Sequence, residues 1–258
     1  MKDFDGFTKT TQYVKLENIY GEIIEIEQKT VYTEIDGTER MFTAKGDADS
    51  IEIFMPEVEK IDVEYAIDSI KDLKYRNVIV GVISEKGILS VPEDSIALIN
   101  DCRFSLSIMT DDIHVILDWN TVNGLSMMEG NMVLYVHRAT PEDLTDAQKR
   151  TVGGHLTISV TMYVNGESVT QLGGHADIYV ETEETMVYYV DADGKPSLIE
   201  SDHSDGIAHF SVNHFSIYMF TSKSPESLDL PMILIIIALV AIILIILLIL
   251  LVKRRNED

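Results

Sequence analysis

The residues of this sequence that could do chemistry are few, and the most suggestive are His214, Phe215 and Ser216. The imidazole could act as a base, and the serine oxygen could then attack the carbonyl carbon of the preceding residue. This reaction would cut the chain between Phe215 and Ser216. Ordinary strand alternation explains the same residues, with Phe215 and Ile217 facing inward. We therefore expect a plain strand and no enzyme, and we keep self-cleavage as an alternative.

Two other sets of residues could hold a metal ion. Asp191 and Asp193 begin like an oxygen-ligand loop, but a calcium loop needs one more ligand before its glycine, and Lys195 follows here, so we expect a β-turn. His155 and His175 each follow two glycines and could share a zinc ion. Repetition of a Gly-Gly-His turn explains both histidines without metal. The sequence therefore predicts neither a metal nor a cofactor.

The single cysteine, Cys102, is a poor nucleophile candidate. The negative charge of the preceding Asp101 should raise the pKa of the thiol and lower its reactivity. One cysteine also excludes a disulfide framework within the chain. No Gly-x-Ser-x-Gly motif or glycine-rich phosphate loop occurs. Trp119 and the 11 tyrosines could present ring faces to a sugar, so carbohydrate binding is kept as an alternative.

The charge of the chain excludes one class of partner. There are 20 basic and 43 acidic side chains, which gives a formal net charge of −23. Proteins that hold nucleic acid through its phosphates need a basic surface, and this one would repel phosphates. We therefore expect no nucleic-acid partner.

The hydrophobicity of the chain is concentrated in one block. Residues 232–252 are all apolar, and about 20 residues suffice to cross the hydrocarbon core of a membrane. Three basic residues follow directly, Lys253, Arg254 and Arg255. The positive-inside rule then places the short tail in the cytoplasm and the acidic bulk outside. The sequence predicts a single-pass cell-membrane protein whose helix serves only as an anchor in lipid.

The first residues do not look like an export signal. Residues 1–6 contain neither a basic segment nor an apolar one. We expect the chain to be the C-terminal piece of a longer exported protein. The alternative is a tail-anchored protein with its bulk in the cytoplasm, which the basic tail argues against.

The polar part of the chain is dominated by short strands. Two similar units of strand, Pro-Glu, helix and strand occupy residues 51–83 and 88–109, with Pro-Glu suited to a helix start. Gly-containing pairs mark turns at 36–37, 123–124, 165–166, 193–194 and 205–206. A helix start is predicted at residues 141–148. The remaining β-branched and aromatic runs predict strands at 23–27, 30–35, 40–44, 114–119, 132–137, 156–164, 176–180, 185–190, 207–212 and 215–220.

These pieces resemble the membrane-proximal end of prokaryotic S-layer-associated or adhesin-like surface proteins. The two strand–Pro–Glu–helix–strand units resemble the repeated modules of those proteins, and residues 186–195 and 205–218 resemble their closing hairpins. The resemblance covers about residues 51–252 and implies a structural or adhesive role. The His-Phe-Ser tripeptide also resembles the cleavage site of GAIN-type domains, but their paired cysteines are missing here.

The fold expected from these patterns is mostly β, a β-sandwich-like ectodomain with short helical crossovers and one C-terminal transmembrane helix. A surface ligand or an envelope protein is the expected partner, and a ligand-binding or sensor ectodomain is the alternative function. The expected segments are a strand segment at 1–50, the repeat region at 51–112, a β-rich membrane-proximal region at 113–222 that packs with it, a linker at 223–231, the membrane helix at 232–252 and the cytoplasmic tail at 253–258.

Overall fold

A computed structural model describes residues 10–17, 23–35, 38–46, 49–70 and 75–222. The predicted linker, membrane helix and tail lie outside these residues, and with them Lys253, Arg254 and Arg255. Within the described ranges, no helix is long and apolar enough to cross a membrane.

The described residues form mainly strands, joined by four short helices. In chain order the elements are β1 Thr10–Glu17, β2 Ile23–Ile35, β3 Thr38–Gly46, β4 Ser50–Phe54, α1 Lys60–Ile70, β5 Asn77–Ile83, β6 Ile88–Val91, α2 Glu93–Asp101, β7 Ser105–Met109, β8 Ile113–Leu117, α3 Trp119–Ser126, β9 Met132–Arg138, α4 Asp146–Val152, β10 Thr157–Val164, β11 Glu167–Ser168, β12 Gln171–Glu181, β13 Met186–Val190, β14 Pro196–Ile199, β15 Asp202–Ser204, β16 Ile207–His214 and β17 Ile217–Thr221.

The strands form two sheets. Sheet I has ten strands in the order β1-β2-β3-β4-β5-β7-β8-β12-β16-β15. Sheet II has seven, in the order β14-β13-β17-β10-β9-β6, with β11 paired to β10. The prediction of a mostly β, sandwich-like fold is thereby confirmed. Sheet I contains strands from three of the predicted segments, 1–50, 51–112 and 113–222. The predicted segment boundaries therefore do not coincide with the division of the strands into two sheets.

The two similar units have the predicted order of elements but different destinations. β4, α1 and β5 form a parallel crossover within sheet I, and β5 pairs in parallel with β7. Parallel neighbours need such a crossover connection. In the second unit, β6 instead pairs with β9 of sheet II, and α2 then leads the chain back to sheet I. Because β6 belongs to sheet II, β5 and β7 are direct neighbours in sheet I.

The larger of two buried apolar clusters among the described residues lies between the sheets. A register row across sheet I consists of Val82, Ile108, Val115, Ile178 and Phe210, all buried. These residues belong to one contiguous apolar cluster with Leu89, Leu134 and Met162 of sheet II. Side chains on a strand alternate between faces, so the residues next to each member of the row point to the opposite, outer face of sheet I.

Local turn chemistry was predicted well at some sites and wrongly at one. Asn165 and Asp205 have positive φ and are each followed by a positive-φ glycine, as their predicted hairpin turns require. The pair at 36–37 lies outside the described residues. Asn123-Gly124 is no turn, because it lies inside α3. A Cβ atom on Gly124 would be 3.6 Å from the Cα of Gly173, so this glycine lies where α3 packs closely against β12.

Two element boundaries also differ from expectation. β2 is continuous where two strands were predicted. β8 ends at Leu117, since Asp118 caps the helix that begins at Trp119.

The predicted helix start at 141–148 is realised late, at α4. Thr145 is the N-cap, and its hydroxyl accepts a hydrogen bond from the backbone N–H of Gln148 at 3.1 Å. In turn, the Gln148 side-chain Oε1 accepts a hydrogen bond from the backbone N–H of Thr145 at 2.9 Å. This reciprocal arrangement is a capping box, which satisfies two otherwise unpaired donors.

Replacing Thr145 by alanine should remove one half of this box. We expect a loss of about 1 kcal/mol in the free energy of unfolding, the usual cost of losing an N-cap. Urea unfolding of the full chain in detergent micelles would measure it. Thr145→Ser keeps the hydroxyl and should stay close to the parent protein; equal losses in both variants would contradict the capping role.

Candidate functional site

The outer face of sheet I carries a polar and aromatic row, which we call the outer row. Strand alternation places these side chains opposite the core: where Val115, Ile178 and Phe210 face inward, their neighbours face outward. The members of the outer row are Lys45, Glu52, Ser107, His114, Tyr179 and His209.

Three rings stack along the outer row on adjacent strands. His114 of β8 pairs in register with Tyr179 of β12, which pairs with His209 of β16. The ring centroids of His114 and Tyr179 are 5.7 Å apart, and those of Tyr179 and His209 are 4.4 Å apart with an interplanar angle of 11°. Both faces of the Tyr179 ring are therefore covered by histidines. Burial, together with the negative charges of Asp177 and Glu52, raises the pKa of Tyr179, so its hydroxyl stays protonated.

Glu52 is the buried charge of the outer row, with 5% of its surface exposed. Its carboxylate lies 2.8 Å from His114 Nε2 and 2.9 Å from Lys45 Nζ, and it accepts a hydrogen bond from Ser107 Oγ at 2.7 Å. Burial on its own would raise the pKa of Glu52. The hydrogen bond and charge of His114, the charge of Lys45 and the Ser107 hydroxyl outweigh it and lower the pKa to about 2.

Gly81 makes this cluster possible. It lies on β5, between the strands that carry Glu52 and Ser107. A Cβ atom on Gly81 would be 2.2 Å from Ser107 Oγ and 2.3 Å from the Ser107 carbonyl oxygen, far inside van der Waals contact. Because this position has no side chain, the carboxylate on β4 can reach the hydroxyl on β7 across the strand between them.

A second polar group, on β12, adjoins the stacked rings. Asp177 Oδ2 lies 3.6 Å from His175 Nε2, and Asp177 Oδ1 lies 3.4 Å from His209 Nε2. The other nitrogen of His175, Nδ1, lies 3.2 Å from Asp118. Among the described residues, however, no three His, Cys, Asp or Glu side chains are grouped so that they could hold a metal ion.

Asp118 connects this group to α3, whose N-cap it forms. One carboxylate oxygen accepts hydrogen bonds from the backbone N–H groups of Thr121 at 2.9 Å and His175 at 3.0 Å. Burial opposes ionisation, but these bonds, with further ones from the side chains of Thr121 and Asn120, lower the pKa of Asp118. Its role is to fix the start of the helix against β12.

The two Gly-Gly-His motifs turn out to have different structural causes. A Cβ atom on Gly174 would lie 2.2 Å from the Asp118 carboxylate, so glycine here allows α3 to approach β12. Gly153 instead ends α4 with a φ of +52° and has open space around it. His175 lies on a strand of sheet I, whereas His155 lies two residues before β10 of sheet II. The interpretation as one repeated turn is therefore wrong.

Asp191 and Asp193 lie between β13 and β14, in a tight connection. Asp191 Oδ1 accepts hydrogen bonds from the backbone N–H groups of Asp193 at 3.0 Å and Lys195 at 2.8 Å. Gly194 has a φ of +80°. The carboxylate of Asp191 thus organises the turn that the sequence predicts.

The predicted cleavage tripeptide lies where the chain passes between sheets. β16 of sheet I ends at His214, and β17 of sheet II begins at Ile217. The N–H of Phe215 donates to the Thr170 carbonyl, and the Ser216 carbonyl accepts from the N–H of Val160, both at 3.0 Å. Neither residue has a positive φ. The strand predicted at 215–220 is present as β17 but begins two residues later, and Phe215 and Ile217 are both buried as predicted.

The His214 ring packs edge-to-face against Tyr189, with centroids 4.7 Å apart. Its Nδ1 lies 3.2 Å from Asn213 Oδ1, and its buried Nε2 has no hydrogen-bond partner. Burial lowers the pKa of His214, which keeps the ring neutral. A neutral imidazole is the form that a base requires, but the contacts found here are those of a packed side chain.

A cavity opens at one end of the outer row, and we call it the end cavity. Its volume is about 260 Å³. It lies beside the turn between β7 and β8, the last residue of β12 and the start of β16. The lining residues are Met109, Thr110, Asp111, Asp112, Ile113, His114, Tyr179, Glu181, Asp205 and Ile207.

Sequence reasoning missed the outer row and the end cavity. The available signal was Glu52, a charged residue inside the apolar run from Ile51 to Phe54. A carboxylate within the buried run from Ile51 to Phe54 needs partners, and two of these come from residues 55 and 62 positions further along the chain. The direction of the pKa shift of the Cys102 thiol was predicted correctly: burial and the charge of Asp101 raise this pKa.

Comparison with known proteins gives no match to a protein-family model, to a curated protein or to a solved structure. No activity can therefore be transferred to this chain by similarity.

Proposed function

We propose that the chain is a single-pass membrane-anchored cell-surface protein with a structural or adhesive role. The observation that carries this proposal is the wholly apolar run at 232–252, followed at once by Lys253, Arg254 and Arg255. Its length suits a bilayer, and its basic flank favours a cytoplasmic tail. A two-sheet β body with a buried apolar core is a suitable module to present at a surface.

The distribution of charge supports the same proposal. The tail after residue 252 has three basic and two acidic residues, a net charge of +1. The rest of the chain therefore has a net charge of −24, against −23 for the whole chain. Such a charge keeps the body soluble, makes copies repel one another and concentrates cations near it. An envelope protein or a surface ligand is the partner that we propose, in line with the resemblance to S-layer-associated and adhesin-like proteins.

Cysteine labelling in intact cells tests the orientation. In a Cys102→Ser background, a membrane-impermeant maleimide should label Glu167→Cys, which is exposed in the body. It should label Asn256→Cys only after the cells are permeabilised. The reverse pattern would overturn the proposal in favour of a tail-anchored protein with its body inside. Replacing all three basic flanking residues by glutamate should weaken the orientation preference, since the positive charges set it.

A ligand-binding ectodomain is the second candidate, and the end cavity is the observation that favours it. Small-molecule sites are concave, mostly apolar and equipped with a few polar groups. Sugar stacking gains no support from two of the aromatic residues. Both faces of Tyr179 are covered, and the Arg103 guanidinium lies 5.4 Å from the ring centroid of Trp119.

A further inference from the structure

We propose that the end cavity binds an organic cation, an ammonium or guanidinium group on a short apolar stem. This inference deepens the second candidate function above and rests on it. The evidence comes from the size of the cavity, its apolar surface and the charge of its lining.

The size and the surface suit a small amphiphilic group. A volume of about 260 Å³ is below the usual range for drug-sized ligands, roughly 300–1,000 Å³, and is closer to that of a side chain or a short diamine. Met109 and Ile207 give the cavity an apolar surface, and Ile207 is 41% exposed although it lies on a strand. An apolar stem that covers these side chains would remove them from water.

The charge of the lining is negative. Of its four carboxylates, Asp112 pairs with Arg138. Asp111, Glu181 and Asp205 have no Lys, Arg or His within ion-pair distance among the residues that the structure describes. The cavity thus offers three carboxylates without a matching cation, grouped around an apolar surface.

The two outer-row residues that line the cavity do not reverse this charge. His114 Nε2 faces the buried carboxylate of Glu52 at 2.8 Å, so any positive charge on that ring is already balanced. Tyr179 stays neutral, and a neutral phenol can accept a hydrogen bond from an ammonium group. An anionic ligand would meet repulsion here, and a neutral one would leave the carboxylates unused.

The same cation chemistry could come from a free diamine or from a lysine or arginine side chain of a partner protein. Binding of hexane-1,6-diamine to the full chain in detergent micelles, followed by NMR shifts of Tyr179 and His114, tests the shared chemistry. We expect this diamine to bind at least about tenfold more tightly than hexan-1-ol, with hexanoate the weakest. Equal affinity for the three probes would overturn the proposal.

Variants separate a built site from diffuse attraction to an acidic protein. Glu181→Gln combined with Asp205→Asn should weaken diamine binding about tenfold or more. Asparagine tolerates the φ of +52° at position 205, so this double variant should fold. Glu167→Gln removes a charge from exposed β11 and should leave binding unchanged. If Glu167→Gln weakened diamine binding as much as the double variant, the proposal would fail.

A second comparison distinguishes the source of the cation. If acetyl-Gly-Lys-Gly-amide binds more tightly than the diamine, the ligand is a partner's side chain; the opposite order indicates a free diamine. The labelling experiment is independent of this one. If Glu167→Cys is labelled only after permeabilisation and the protein still binds the diamine, only the cell-surface role is contradicted. If Glu167→Cys is labelled in intact cells and the protein does not bind the diamine, only the cation site is contradicted.

Discussion

Gly81→Ala should cost about 3 kcal/mol of the free energy of unfolding. The new methyl group would start 2.2 Å from Ser107 Oγ and 2.3 Å from the Ser107 carbonyl oxygen. The second contact is with backbone, so no rotamer change can relieve it, and β5 and β7 must move apart. Overpacking of a filled interior costs about 1–3 kcal/mol, and a lost hydrogen bond to a charged group adds about 1.5–3 kcal/mol.

Urea unfolding of the full chain in micelles, followed by the fluorescence of Trp119, the one tryptophan, would measure this loss. Gly154→Ala is the matched control, because a Cβ atom there meets nothing within 4 Å. Adding Ser107→Ala to the Gly81 variant should recover only part of the stability, since the clash with the carbonyl remains. Equal effects of the two glycine substitutions would contradict the close approach at β5.

The strand around Gly81 was predictable, but the reason for its glycine was not. A run of β-branched residues from Val78 to Ile83 identifies β5 locally. What glycine does there depends on which strands lie on either side, and these carry Glu52 and Ser107, 55 residues apart. That neighbourhood exists only because β6 joins sheet II, and no periodicity in the sequence encodes this choice of partner.

The correctly predicted turns differ in the same way from the wrongly predicted one: adjacent residues determine the former, and a distant contact determines the latter. Asn165 and Asp205 were predicted because two adjacent residues determine a hairpin turn. Gly124 belongs to the same kind of dipeptide but lies in α3, where Asp118 starts the helix and Gly173 packs against it. The tertiary contact outweighs the local preference. The end cavity is likewise assembled from loops and strand ends that are distant in sequence.

At neutral pH, Glu52→Ala should destabilise the protein at least as much as Gly81→Ala. The expected loss is about 3–5 kcal/mol of the free energy of unfolding. Removing one member of a buried ion pair leaves the other charge uncompensated, which is the costly case. His114 lies 2.8 Å and Lys45 2.9 Å from the missing carboxylate, and the Ser107 hydroxyl loses its acceptor. The urea experiment at pH 7 measures the loss, and Glu167→Ala, on the surface, should change it little.

The pH dependence follows from the direction of the shift. Glu52 has its pKa lowered from 4.5 to about 2, so the folded state favours the ionised carboxylate. Its contribution, about 3 kcal/mol at 1.36 kcal/mol per pKa unit, is complete above pH 4.5 and is lost as the pH falls toward 2. Asp118 and Asp143 act in the same direction, whereas Asp62, with a raised pKa, acts in the opposite one.

Glu52→Gln isolates this contribution, because it keeps an acceptor for Ser107 and removes the titration. The stability difference between the parent protein and this variant should shrink steadily as the pH falls from 4.5 to 2. A difference that does not change over that range would show that the charge of Glu52 is not stabilised by the fold.

Lys45→Met provides a further comparison: Lys45 is partly exposed, and Glu52 would retain His114 and Ser107. Its loss should therefore be clearly smaller than that of Glu52→Ala, because the buried carboxylate, rather than any single cation beside it, holds the outer row together.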